Sequence, residues 1–209
     1  GGLVELIPNM TSNTTPSGSV SSNAFGEDTW KAFTGNFGSV FSKSNPMTSE
    51  NSLPLTAGYN YALIFTLPKA EYLSKISFCL YNNASGSTTK PTLGRTLEGL
   101  IIYTSLNGAQ TTNGYSSTES MSGYSPAASI KYNFNLVTLK MKKTAIVDTI
   151  AIHFKAKTDE RNERIGLISA IGLEYTPGET KQPELLKSFA FGAWGDRVGW
   201  PSNVKGYQD

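Results

Sequence analysis

The only histidine, His153, and the only cysteine, Cys79, are the first residues a catalytic reading would need. His153 shares its face of an alternating stretch with Thr149, Ala151 and Lys155, which reads as a sheet-surface histidine. Cys79 alternates with Lys75 and Ser77 and has no histidine near it in sequence, so it reads as a passive thiol. A glycosidase needs two carboxylates at a fixed separation. The acids here (Glu27, Asp28, Glu50, Glu71, Glu98, Glu119) are scattered. There is no nucleophile elbow, no glycine-rich phosphate loop followed by Lys-Ser/Thr, and no His-Glu-x-x-His. One cysteine and one histidine also exclude a disulfide framework, a zinc finger and a multi-histidine metal site. The sequence therefore reads as non-enzymatic.

Binding chemistry is better represented. A sugar site needs a ring for the apolar sugar face, with amides or cations for the hydroxyls. The loops offer Asn82, Asn83, Lys90 and Arg95 in one segment, then Asn107, Tyr115 and Tyr124 in the next two. Basic residues cluster at Lys140, Lys142 and Lys143, and again at Lys155, Lys157, Arg161 and Arg164. The second group is interleaved with Asp159, Glu160 and Glu163 and reads as a solvated loop. Neither group alternates with aromatic rings as single-strand nucleic-acid binding would require. A net charge of +2 adds no whole-chain attraction, so no nucleic-acid partner is expected.

These residues need elements to hold them, and the composition points to strands. Charged residues are 16% of the chain, below the usual ~25%. Small polar residues replace them: 24 Ser, 22 Thr and 15 Asn. An aromatic content of 11% argues against disorder. Apolar residues recur with period two at Tyr61, Leu63, Phe65 and Leu67, then at Ile76, Phe78 and Leu80, and at Ile150, Ile152 and Phe154. Leu97 to Ser105 is β-rich and ends in Leu106-Asn107-Gly108, a hairpin signal. Tyr132, Phe134 and Leu136 alternate until the phase flips to Val137, Leu139 and Met141, which predicts a β-bulge at the flip. A last strand spans Ile165 to Tyr175. No stretch carries a helical apolar stripe, although short turns fit Asp28 to Phe33 and Glu184 to Phe191. The expected fold is an all-β antiparallel sandwich with Phe65, Phe78, Leu80, Phe134, Ile152, Phe154 and Leu173 buried. The longest apolar runs, Tyr61 to Phe65 and Leu100 to Tyr103, are far short of the ~20 residues that span a bilayer, so no membrane insertion is expected.

The composition changes after Thr176-Pro177-Gly178. Residues 1–176 read as the sandwich and 177–209 as an aromatic, glycine-rich tail with Phe189, Phe191, Trp194, Arg197 and Trp200. Trp and Arg are enriched at interface hot spots. These five are therefore expected to anchor the chain to a partner subunit, within a homo-oligomer or larger assembly.

The ordered series Ile7-Pro8-Asn9-Met10-Thr11-Ser12, Thr15-Pro16-Ser17-Gly18 and Trp30-Lys31-Ala32-Phe33-Thr34-Gly35-Asn36 resembles the opening of a discoidin-type (coagulation factor C-domain) module. In detail it is similar to copies carried by bacteriophage tail and virion proteins. Ile64 to Leu67 resembles the family's strand before a Gly/Pro turn, and Leu73-Ser74-Lys75-Ile76 the strand after it. Leu97-Glu98-Gly99 with Ser105-Leu106-Asn107-Gly108, and Ile168 to Tyr175, resemble later strands, so the resemblance covers roughly residues 6–176. It implies a galactose-binding-like, jelly-roll-like sandwich of about eight strands that binds ligands through loops at one end. It also implies a non-catalytic module for cell-surface carbohydrate, on a virion surface or otherwise extracellular. The alternative is a structural decoration, spacer or baseplate protein anchored by its tail. Many members hold a structural calcium, but Thr34 stands where they carry aspartate, and Ala170 or Gly172 where the closing strand often has glutamate. No cofactor is expected here.

Overall fold

The computed structural model describes residues 2–34, 47–82, 91, 93–111, 115–117, 134–157 and 162–178. Phe134, Asn135 and residues 115–117 are described by backbone only. In chain order the strands are β1 (Leu3–Glu5), β2 (Ser19–Ser22), β3 (Ser52–Pro54), β4 (Asn60–Asn82), β5 (Leu97–Leu106), β6 (Ala109–Gln110), β7 (Tyr115–Ser117), β8 (Phe134–Ala156) and β9 (Glu163–Leu173). A 3-10 helix spans Gly26–Phe33 and a single α-turn, α1, spans Leu93–Thr96. Every strand pairing is antiparallel.

Two 23-residue strands, β4 and β8, organise the molecule. Their ladder runs from Asn60 opposite Lys155 to Tyr81 opposite Phe134, with register shifts between Thr66 and Glu71 and between Leu73 and Lys75. Such irregularities bend strands. On one side of the bend, β2, β5, β6 and β7 join to make the first sheet. On the other side β9, with β1 and β3 along it, makes the second. The two inner faces share one core: Tyr61, Leu63, Phe65, Leu100, Ile102, Ile150 and Ile152 from the first, Leu73, Ile76, Phe78, Leu80, Val137, Leu139, Ile165 and Ile168 from the second. The architecture is the expected antiparallel β-sandwich. Trp30, with Phe25 and Leu55, packs partly buried against this core.

Two sequence expectations need correction. The segment around Pro68 does not separate two strands, because β4 is continuous through it. Proline lacks a ladder donor. Here Pro68 lies inside the register gap between Thr66 and Glu71, where no partner is aligned. Nor is there a bulge at Leu136–Val137, since the register runs evenly from Asn135 to Lys140. The apolar phase flips there because Leu136, Val137, Thr138 and Leu139 are all buried, so both faces of the second sheet are covered. The irregularity comes later, where residues 141–144 face a single residue of β4, Ser74. The Asn107-Gly108 hairpin forms as predicted, with φ of 52° and 82° joining Leu106 to Ala109.

At the bend, Lys69 Nζ lies 3.4 Å from Glu71 and 3.0 Å from Glu174. Burial raises the Glu71 pKa above its ordinary value, with Lys69 pulling the other way, and burial raises that of Glu5 as well. A carboxyl whose folded pKa is raised stabilises below its unfolded pKa, and that contribution is lost as pH rises through the folded value. Glu71→Gln should therefore flatten the fall in stability as pH rises from the ordinary value of 4.5. A Tm profile over the acid-to-neutral range, compared with the parent chain, checks this; an unchanged slope would contradict it.

Candidate functional site

The outer face of the first sheet carries the residues that alternate with the core positions. Register sets them in rows: Asn60, Lys155 and Gly99; then Ala62, His153 and Ile101; then Ile64, Ala151 and Tyr103. Gly99 contributes no side chain, so the first row has a gap. An open cleft of about 340 Å³ lies there, lined by Asn60, Gly99, Ile101, His153 and Lys155 together with Tyr61, Leu100 and Phe154. That is near the lower end of the ~300–1,000 Å³ typical of small-molecule sites.

Each wall has a structural cause. The register shift between Leu97 and Gly99 is a bulge that leaves Glu98 exposed, and its carboxylate meets Lys155 Nζ at 3.0 Å. Tyr103 is 37% exposed and meets the His153 ring edge to face, with centroids 5.1 Å apart. The Asn23 side chain fixes the start of β4, donating to the Asn60 carbonyl and accepting from the Ala62 N–H, both at 3.0 Å. Beneath the cleft, Tyr61 stacks between Phe25 and Phe154 at 5.3 and 5.2 Å. The pairs of backbone bonds Gly58 N–H to Ala156 O and Ala156 N–H to Tyr59 O, both 3.0 Å, close this end of the sandwich. The walls therefore stand on rigid strands, which suits a preformed binding surface.

The residues expected from sequence fall in different places. Asn82 is the last residue of β4, 1% exposed and opposite Glu163, a buried strand end and not a loop position. Arg95 lies half-buried in α1, at the cleft end of β5. Asn107 lies at the far end of that strand, roughly 30 Å away at ~3.3 Å per residue, where its N–H donates to Asp148 at 2.9 Å. Arg95 and Asn107 therefore belong to opposite ends of the sandwich. The backbone of Tyr115 pairs with Ile102 in β7. Asn83, Lys90, Tyr124 and the tail residues Phe189, Phe191, Trp194, Arg197 and Trp200 lie outside the described residues. The cleft was missed because alternation shows that His153 and Lys155 point away from the core but not which residues become their neighbours.

Among the described residues the donor set does not fit calcium, which takes six to eight oxygens, commonly with carboxylates among them. The Thr34 hydroxyl donates to the Lys31 carbonyl at 3.2 Å, and Ala170 and Gly172 bring no acid from β9. Among the described residues no three His, Cys, Asp or Glu side chains converge. Among the described residues, too, no helix is long and apolar enough to cross a membrane.

No protein-family model matches the chain, and no curated protein matches it. Solved structures do. One is chitosan-binding module 1 from a chitosanase/glucanase of Paenibacillus sp. IK-5, 11% identical, with 80% of this chain and 98% of that one covered and a TM-score of 0.45. Another is the family 32 carbohydrate-binding module of NanJ from C. perfringens in complex with galactose, 15% identical over 77% and 98% of the two chains, TM-score 0.40. A third is the family 32 module of AlyQ with 4,5-unsaturated mannuronic acid, 17% identical over 73% and 92%, TM-score 0.43. The likeness is distant in sequence and in chain course.

Proposed function

We propose that this chain is a non-catalytic carbohydrate-binding module that adheres to cell-surface glycan, carried on a bacteriophage virion or tail. The observation that supports binding is the cleft on the first sheet. It offers ring surface from His153, an aliphatic floor at Ile101, and hydrogen-bonding groups on Lys155 and Asn60, beside a gap at Gly99 that lets a ring settle close to the backbone; Tyr103 packs edge-on against the His153 ring. None of its lining residues is a carboxylate, and the neighbouring Glu98 is a single acid held by Lys155. Such a set can hold a sugar but lacks the acid pair that glycoside hydrolysis uses. The virion setting rests on the resemblance carried by residues 7–36. Of the sequence-derived set, Arg95, in the turn that leads into β5, is proposed as the residue that extends the site.

A shallow site buries little of a sugar, so the expected Kd is of order 0.1–1 mM per site, about −4 to −5.5 kcal/mol. Display in several copies would supply avidity. A glycan-array screen of the full chain, followed by calorimetric titration of the best sugar, tests this. Saturable binding without release of free sugar from an oligosaccharide is the expected result; no binding to any glycan, or cleavage, would overturn it.

A further inference from the structure

The cleft occupies the first two rows of the face that carries it, and the same three strands continue that face for two rows more. Ile64, Ala151 and Tyr103 make the third row, and Thr66, Thr149 and Ser105 the fourth. Ser19 on β2 and Gln110 on β6 extend the fourth row, so hydroxyl or amide groups stand on five neighbouring strands. The Thr149 hydroxyl donates to Asp148 Oδ1 at 3.1 Å and keeps lone pairs for a further donor. Along the strands the face therefore runs from Asn60 and Lys155, through two largely apolar rows, to a second polar row.

Same-face residues repeat every ~6.8 Å, so the four rows span roughly 20 Å and the cleft takes up about a third of that length. The middle rows lie low: Ala62 and Ala151 are short, and Ile64 and Ile101 are half-buried. Tyr103 is one of three large apolar side chains more than a third exposed among the described residues, the others being Val4 and Tyr59. Its edge-to-face contact with His153 makes the two rings one ridge beside the low residues. With β2 and β6 included, the face is about 20 Å by 20 Å, on the order of 400 Å². That is half of the ~800 Å² per partner that a stable protein interface buries, so a protein is a poor fit. A sugar chain matches it better, because it presents apolar C–H faces and hydroxyl edges in turn.

We propose that the site reaches beyond the cleft, past Tyr103, to the row of Thr66, Thr149 and Ser105, and takes an internal stretch of a straight, β-1,4-linked glycan. The inference rests on the reading of the cleft as a sugar site and adds the class of chain it takes. Equatorial β-1,4 links keep successive rings in an extended ribbon that can lie along strands, whereas α-1,4 links coil the chain away from such a surface. A chain-end site needs a wall that stops the chain. Here the face continues beyond Ala62 and Ala151 to hydroxyl groups instead. Tyr103 then serves the part of the chain beyond the ring seated at Gly99.

Titration calorimetry on the full chain compares monosaccharide with hexasaccharide in the cello-, manno- and chito-oligosaccharide series, with maltohexaose as the coiled α-1,4 control. The hexamer of at least one β-1,4 series should bind more than about tenfold tighter than its monomer. That exceeds the statistical factor that six equivalent registers give a one-ring site. Maltohexaose should show no such gain over glucose. In Tyr103→Ala, with folding checked by circular dichroism, the hexamer-to-monomer ratio should fall to the statistical factor or below, and Tyr103→Phe should keep it. Should Tyr103→Ala not fold, Thr66→Ala, at an exposed position, decides by the same ratio. Equal affinity for monomer and hexamer, or a ratio that Tyr103→Ala leaves untouched, would overturn the inference while the sugar-binding reading stands. So would an equal gain with maltohexaose, or binding of other array glycans with none of the three series bound. No binding to any glycan would overturn both.

Discussion

Gly172→Ala is expected to stop β9 from docking against β4 and to leave little folded protein. Gly172 lies opposite Leu73, and a Cβ there would overlap the Tyr72 carbonyl and its carbon, with Leu6 at 3.0 Å on the other side. Overpacking a core ordinarily costs ~1–3 kcal/mol, because neighbouring side chains can turn aside. Here the obstacle is backbone in a ladder, and relief means separating two strands of the central pairing. The expected cost is about 4–5 kcal/mol or more, a size that few single changes reach. The comparison is Gly108→Ala, where a Cβ would meet nothing and only the φ of 82° is strained, at about 1–3 kcal/mol. Denaturant midpoints for the two variants check this. Equal midpoints would show that the sheet can open at Gly172.

Phe78→Ala should be nearly as damaging, at ~3–5 kcal/mol. Phe78 is fully buried, in register with Val137 on β8, and opposes the irregular Leu167–Ile168 step of β9. Truncation removes the ring from the middle of the second sheet's inner face. The pairings on either side of it hold the backbone in place, so the cavity has little freedom to collapse. A loss below about 1.5 kcal/mol in equilibrium unfolding would mean that the core there repacks, as volume-tolerant sites do.

Much of this architecture was legible because alternation reports one buried face directly. Tyr61 to Leu67 and Ile150 to Phe154 alternate cleanly and lie on the sheet whose outer face holds the open cleft. Asn107-Gly108 announced its turn because two positive φ angles favour that pair. Alternation misled where its premise failed. Leu136 to Leu139 are buried on both faces, so a phase change imitated a bulge. Pro68 looked like a chain break because a sequence does not show that a register gap will absorb it. The cleft was hidden for another reason. Asn60, Gly99 and Lys155 become neighbours only when β4, β8 and β5 align, and period-two patterns carry no register between distant segments. The loop residues chosen for sugar contacts were picked by type, and the length of β5 separates Arg95 from Asn107.

The central claim is that the outer face of the first sheet binds a sugar through the cleft at Asn60, Gly99, Ile101, His153 and Lys155. Its most direct measurement is an amide ¹H–¹⁵N titration of the full chain with the best sugar from the array. The predicted result is a set of fast-exchange shifts centred on Gly99, Ile101, His153 and Lys155, saturating with a Kd of order 0.1–1 mM. They should be lost in a folded His153→Ala, Lys155→Ala double variant. Shifts centred instead on residues around Asn107 and Asp148, or unchanged affinity in that variant, would contradict the account.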